Sequence, residues 1–297
     1  MSGLRTGTPA IVFDFDGTLI DSGLDKGIHI MCAVWSAFAL NGLARYLHRE
    51  KPALDVAKML AAYIRYPGAP RFQQLSALAN SLINGNTSAV EEHDLDLFPE
   101  DVKIVYPALK ADYNRIYSGL NNTAAELYWK PFPSVHRFLE SAALDYDLYI
   151  ASGVTEDLIR GDLERHSFDE TLFRGICGGN SRGGADKAEL LLSIRRLGYP
   201  DLLFVADSNR DLKYAQQAGT RFFRIKDDND FARLETALNE GKLPDEQDSW
   251  TYTAAELAFF TDRAERIIGV MLIEGRFDGY REITAIIHDT EERQRER

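Results

Sequence analysis

Basic charge, cysteine and long apolar runs are all scarce in this chain. Its 34 lysines and arginines face 46 aspartates and glutamates, for a formal net charge of -12. A nucleic-acid partner needs a concentrated basic surface that releases counterions, so this balance argues against one. The longest apolar stretch, Ile28 to Leu40, is interrupted by Ser36 and falls short of the roughly 20 residues that cross a bilayer. It reads as a buried helix, and no membrane partner is expected. Only Cys32 and Cys177 are present, too few for a disulfide framework. His29, His48, His93, His136, His166 and His288 show no metal-ligand spacing. The opening "MSGLRTGTPA" carries no apolar targeting segment, so a cytoplasmic location is the expectation. The glycines of "RGICGGNSRGGADK" (174 to 187) match neither phosphate-loop pattern and read as a flexible connection to Lys187.

Apolar material is nonetheless plentiful, at 45% hydrophobic and 11% aromatic residues over 297 positions. That is enough for a folded core and more length than one ordinary domain needs. Ala10 to Phe15 reads as a short buried strand ending at a Gly17 turn. From about Asp21 to Trp129 the apolar spacing becomes helical, at Ile28 to Leu47, Leu54 to Ile64, Phe72 to Ile83 and Val102 to Tyr117. After "KPFPS" a strand-helix alternation takes over. Helices are expected at Val135 to Ala143, Glu156 to His166, Lys187 to Leu197 and Asp211 to Ala218, and strands at 146 to 152, 173 to 179, 202 to 208 and 221 to 226. The tail offers helical stretches at Ala254 to Leu272 and Tyr280 to His288. The expected organisation is an α/β core of residues 1–20 and 130–240, a helical cap of 21–129, and a helical extension of 241–297. The core should be a doubly wound, Rossmann-like parallel sheet.

Three of the expected strands end in residues a packed core would not choose: "FDFDGT", "ASG" and "ADSNRD". The carboxyl ends of parallel strands converge on one crevice, where remote residues share a site. Asp14, Asp16, Asp207 and Asp211 crowded together repel one another unless a cation offsets them, and all-oxygen ligation suits Mg²⁺. Mg²⁺ takes one or two carboxylates plus a substrate phosphate, so a phosphorylated substrate is the natural companion. Lys187, Ser152 and the backbone near Gly153 are candidates for stabilising a transferring phosphoryl group.

Asp14-x-Asp16-Gly17-Thr18, the strand-end Ser152, Lys187 before a helix, and Asp207-x-x-x-Asp211, in that order, resemble the haloacid dehalogenase-like (HAD) hydrolase superfamily. The likeness covers about Ala10 to Leu19 and Lys130 to Lys226 and is to phosphatase-type members with an inserted helical (C1-type) cap, such as phosphoglycolate phosphatase and β-phosphoglucomutase-like proteins. The resemblance implies that Asp14 is the nucleophile, forming an aspartyl-phosphate, and that Asp16 is the general acid and base. It implies that Mg²⁺ is held by the Asp14 and Asp207 side chains, the Asp16 backbone carbonyl, and Asp211 directly or through water. Thr18, Ser152, Gly153 and Lys187 would bind the phosphoryl group. Relatives that cleave carbon-halogen or carbon-phosphorus bonds, and ion-pumping ATPases, lack an aspartate at the place of Asp16, so phosphate-ester chemistry is implied. Ala206 departs from the family's usual glycine.

Other readings stay open at this stage. Ser152 could cap the helix near Glu156, Asp211 could cap the helix it precedes, and Arg182 could supply the charge assigned to Lys187. Tyr63, Tyr66, Phe72, Tyr113 and Tyr117 read as helix packing, and Arg65, Arg71 and Arg115 as conceivable anchors for an anionic substrate. The activity expected is Mg²⁺-dependent hydrolysis of a small phosphorylated metabolite. The alternatives are a phosphomutase or a non-catalytic scaffold of the same fold, and oligomeric state is not legible.

Overall fold

The computed structural model describes residues 8–22, 129–179 and 187–273, together with seven helical positions between Met59 and Ala79. The chain divides into two compact units. One is Met1–Gly23 with Tyr128–Thr251, the other Leu24–Leu127 with Tyr252–Arg297. The boundary expected at residue 240 falls inside the first unit.

The first unit is a five-stranded parallel sheet with helices on both faces. Its strands are β1 (Ala10–Phe13), β2 (Asp147–Ser152), β3 (Phe173–Gly178), β4 (Leu202–Ala206) and β5 (Arg221–Arg224), in spatial order β3-β2-β1-β4-β5. Its helices are α1 (Val135–Ala142), α2 (Glu156–Arg165), α3 (Lys187–Arg195), α4 (Asn209–Ala218) and α5 (Asn229–Asn239). The strand order reverses at β1, with β2 on one side and β4 on the other. In a doubly wound sheet that switch point opens a crevice at the carboxyl ends.

Burial on both faces explains why the central strands read as unbroken apolar runs. Successive side chains alternate between faces. Ala10, Val12, Ala151, Phe204 and Phe222 join a cluster with Leu191 and Ile194 of α3 and Leu212 and Ala215 of α4. On the other face Phe13 meets Phe138 of α1 edge-on at 6.1 Å, and Phe138 meets Phe231 of α5 at 5.3 Å. Each such fully buried side chain contributes about 1.5–3 kcal/mol relative to exposure.

Two backbone devices carry the chain from strand to site. Gly17, at φ +76°, turns β1 sharply, and Leu19 N–H and Ile20 N–H both return to Phe15 C=O. Ser208 caps α4 by accepting from Asp211 N–H, and Gly219 closes the helix in a left-handed conformation. The helix therefore starts two residues before the expected Asp211, at Asn209. The edge strand β5 is covered by residues 243–250, where Glu246 N–H donates to Phe222 C=O and Glu246 Oε2 accepts from Arg224 N–H. This covering also disposes of an exposed edge.

In the second unit, Met59, Leu60, Tyr63, Gln74, Leu75, Leu78 and Ala79 are helical and buried, at spacings that place each group on one helix face. One further helix, α6 (Ala254–Ile273), lies in the tail. Tyr280 to His288, the helices expected at Ile28 to Leu47 and Val102 to Tyr117, Arg65, Arg71, Arg115, Arg182, Tyr66, Phe72, Tyr113, Tyr117 and Cys32 lie outside the described residues. Among the described residues no helix is long and apolar enough to cross a membrane.

Candidate active site

The site is assembled by strand ends. Asp14 follows β1 directly, Ser152 closes β2, Asp207 follows β4, Asp211 lies in the first turn of α4, and Lys187 opens α3. Asp14 N–H donates to Val205 C=O at 2.9 Å, which carries β1–β4 pairing one residue past the strand and fixes the Asp14 backbone. Its carboxylate is then held at both oxygens, accepting from Phe15 N–H at 2.8 Å and from Lys187 Nζ at 2.7 Å. Lys187 Nζ also donates to Asp211 at 2.6 Å. All three of these residues are buried.

Oxygens of Asp14, Asp207 and Asp211 lie within 4.8 Å of one another. One lysine does not neutralise three carboxylates. Burial pushes the Asp14 carboxyl up to about 6 against the pull of Lys187, with Asp211 and Asp16 adding to the rise. Burial, then Asp211 and Asp14, hold Asp207 well above the usual carboxylate range. Burial opposes the charge of Lys187, but Asp14 and Asp211 prevail and hold it above the ordinary lysine range. Among the described residues the cluster is therefore short of positive charge. This clustered, all-oxygen, negatively charged set could hold a metal ion, and its donor type suits Mg²⁺.

Gly17 is needed for a second reason besides its positive φ. A methyl group there would come within 2.2 Å of Asp207 Oδ2. The turn after β1 and the loop after β4 are in contact, and only a hydrogen fits between them. Asp16 is half-buried and accepts from Ser22 Oγ at 3.4 Å, while Ser22 Oγ accepts from Gly17 N–H at 3.1 Å.

The family model for haloacid dehalogenase-like hydrolases matches residues 8–219. The chain belongs to this family. Solved structures similar to this HAD-like chain include a haloacid dehalogenase-like family hydrolase from Streptococcus pneumoniae, at 18% identity and TM-score 0.43, covering 77% of this chain and 91% of that one. A hydrolase from Pseudomonas syringae matches at 16% identity and TM-score 0.47, with coverages of 78% and 98%. A predicted phosphoglycolate phosphatase from Haemophilus somnus matches at 22% identity and TM-score 0.44, with coverages of 74% and 85%. No curated protein matches the sequence.

In this HAD-like core, Asp14, Lys187, Asp207 and Asp211 come together as one cluster, with Asp16 close enough to raise the Asp14 carboxyl. Ser152 is buried, accepts from Val154 N–H at 3.4 Å, and is not a helix cap, since Thr155 occupies that place before α2. Gly153 is exposed and has open space beside it. Thr18 is fully buried, and its hydroxyl has no hydrogen-bond partner among the described residues. Asp211 is not the cap of α4 either; Ser208 is, and its hydroxyl donates back to Asp211 Oδ2. Ser208 and Ser22 have no role in the sequence reading, and Asn209 reads there only as a residue that shapes the loop between Asp207 and Asp211. For Ser208 the signal was present, because Ser-x-x-Asp before a helix is a capping-box pattern.

Proposed function

We propose that the chain is a Mg²⁺-dependent phosphatase that hydrolyses a small phosphorylated metabolite through an aspartyl-phosphate on Asp14. The observation that carries this reading is the three-carboxylate cluster around one lysine at the switch point of the sheet. Asp14, Asp207, the Asp16 backbone carbonyl, and Asp211 directly or through water would hold the ion. Bound there, Mg²⁺ supplies the missing positive charge and polarises phosphoryl oxygens.

The chain's own residues divide the remaining work. An Asp14 carboxylate oxygen attacks phosphorus, the bond from phosphorus to the ester oxygen breaks, and Asp16 gives its proton to the departing oxygen. Asp16, now a carboxylate, takes a proton from water as the water oxygen attacks phosphorus and the Asp14–phosphorus linkage breaks. Inorganic phosphate leaves, and both aspartates return to their starting states. Ser22 Oγ, which donates to Asp16 at 3.4 Å, would orient that side chain for its proton transfer. Lys187 spends two N–H groups on Asp14 and Asp211, which leaves its third for a phosphoryl oxygen. Ser152, the backbone at Gly153, and the Thr18 hydroxyl complete the phosphoryl-binding set; among the described residues Ser152 serves as an acceptor and the Thr18 hydroxyl has no partner.

The test is phosphate release from p-nitrophenyl phosphate. Release should require Mg²⁺ and disappear in Asp14→Asn. Wild-type inertness on that substrate and across a broad panel of phosphorylated metabolites would overturn the proposal.

A further inference from the structure

The loop that carries Asp207 and Asp211 is tied to a distant part of the chain. Asn209, the first residue of α4, donates from Nδ2 to Trp250 C=O at 2.5 Å and accepts at Oδ1 from Trp250 N–H at 2.9 Å. A carboxamide bonded in this way copies a pair of strand hydrogen bonds, and it fixes direction as well as distance.

Trp250 is itself anchored. Its ring stacks on Phe222 of β5 at 6.2 Å and 19°, and the Arg224 guanidinium lies 3.7 Å from the ring centroid. Upstream, Glu246 is bonded to the β5 backbone in both directions, and Gln216 of α4 donates to Gln247 C=O at 3.2 Å. Residues 245–250 thus form a strap from the sheet edge to the start of α4. Two residues, Asp207 and Ser208, separate β4 from that helix, so the orientation of its first turn sets where Asp211 points. Ser208 locks the turn from inside through its bonds with Asp211.

We propose that the strap, acting through Asn209, is a positioning device for the metal-holding carboxylates Asp207 and Asp211. The proposal rests on the reading of those residues as Mg²⁺ ligands. Asn209 touches neither substrate nor ion; it holds the turn on which Asp211 sits. Partners that orient metal ligands typically contribute 10–100-fold in affinity. Asn209 acts one bond further out, so a loss near the lower end of that range, about tenfold, is expected.

The test is Mg²⁺ binding to the full chain by titration calorimetry, with the metal alone as probe, alongside the Mg²⁺ dependence of phosphate release. Asn209→Ala and Trp250→Ala should each raise the Mg²⁺ dissociation constant about tenfold. At saturating Mg²⁺ their kcat should stay within about threefold of wild type. Asp228→Ala serves as the control for mere destabilisation, because it removes the two bonds from Ser134 to Asp228, at 2.8 and 2.7 Å, elsewhere in the same unit. It should lower the melting temperature and leave Mg²⁺ affinity unchanged. If both strap variants bind Mg²⁺ as the wild type does, or if Asp228→Ala weakens binding equally, the strap proposal fails. If Asn209→Ala does not fold, Trp250→Ala alone decides. If wild type and Asp207→Asn bind Mg²⁺ equally or not at all, the underlying metal assignment fails instead.

Discussion

The two ends of the sheet bury carboxylates in opposite ways. At the amino end, Asp147 begins β2, is 2% exposed, and is fully matched by donors: Arg174 Nε at 2.9 Å on one oxygen and Tyr199 hydroxyl at 3.0 Å on the other. At the carboxyl end, among the described residues, three carboxylates gather beside one lysine that pairs with two of them, Asp14 and Asp211, and the carboxyls of Asp14 and Asp207 are pushed upward. Both are polar networks inside the same apolar sheet, a few residues apart along the strands. A network with balanced charge is a structural joint. One left short of cations among the described residues is held by the rest of the fold, and its carboxyls are pushed toward their protonated forms.

The sharpest way to break the comparison is to remove one carboxylate from each end. Asp14→Asn should cut phosphate release by about 10⁴-fold or more, as loss of a nucleophile does. Its melting temperature without Mg²⁺ should hold or rise, because the substitution removes a charge that burial opposes. Asp147→Ala should do the reverse, lowering stability by about 2–3 kcal/mol while the specific activity of the folded protein stays within about twofold. Arg174 keeps partial access to solvent, which limits the loss. Denaturant unfolding and p-nitrophenyl phosphate turnover on both variants decide it. A stability loss in Asp14→Asn as large as in Asp147→Ala would erase the distinction.

Gly17→Ala tests the carboxyl end without touching a charge. The added methyl needs a backbone at φ +76° and meets Asp207 Oδ2 at 2.2 Å, so the carboxylate must move. Mg²⁺ affinity should fall about 10–100-fold, a larger effect than the same substitution at Gly153, which faces open space. Calorimetric titration of both variants checks the difference.

These two ends were unequally legible in the sequence. Asp14, Asp207 and Ser152 could be placed because each follows or closes an apolar run of strand length, and topology gathers such ends at a switch point. What the sequence could not supply was the charge balance, which depends on Lys187 bonding Asp14 and Asp211 at once across 173 and 24 positions. The amino-end joint was invisible for the same reason: Asp147, Arg174 and Tyr199 have no shared periodicity. Helix α5 escaped notice because it follows the polar run "KDDND" and carries only Phe231, Leu234 and Leu238 as large buried residues. The strap at 245–250 follows the polar, Pro-containing start of the tail, "EGKLPDEQDS", and its backbone bonds to β5 leave no apolar pattern to read.

Mg²⁺ affinity should also depend on pH, and only at the carboxyl end. The Asp14 carboxyl titrates near 6 in the fold against 3.8 for the free side chain, so in this window the native state holds more protons than the unfolded one. Metal-free stability therefore falls as pH rises through about 6, while Mg²⁺, which needs the deprotonated carboxylate, binds more tightly over the same interval. Between pH 5 and pH 7 the dissociation constant should drop about tenfold per proton released. Calorimetry in two buffers of different ionisation enthalpy counts those protons. Affinity independent of pH would mean the cluster is already ionised without metal.

The smallest effect belongs to the amino end. Tyr199 hydroxyl donates its one proton to Asp147, so at 2.6 Å from Tyr149 hydroxyl it must be the acceptor of the Tyr149 proton. Tyr199→Phe removes both bonds but keeps the ring packed edge-on against Tyr149 at 5.8 Å. With Arg174 still paired to Asp147, the expected loss is about 1 kcal/mol, or roughly 2–4 °C in melting temperature. Tyr149→Phe should cost less, since it leaves the bond to Asp147 intact, and the double variant should lose no more than Tyr199→Phe alone, because the two share one bond. None of the three should alter Mg²⁺ affinity. A shift of more than about twofold would show that the ends are coupled through β1 and β2, and that the amino-end network is part of the site.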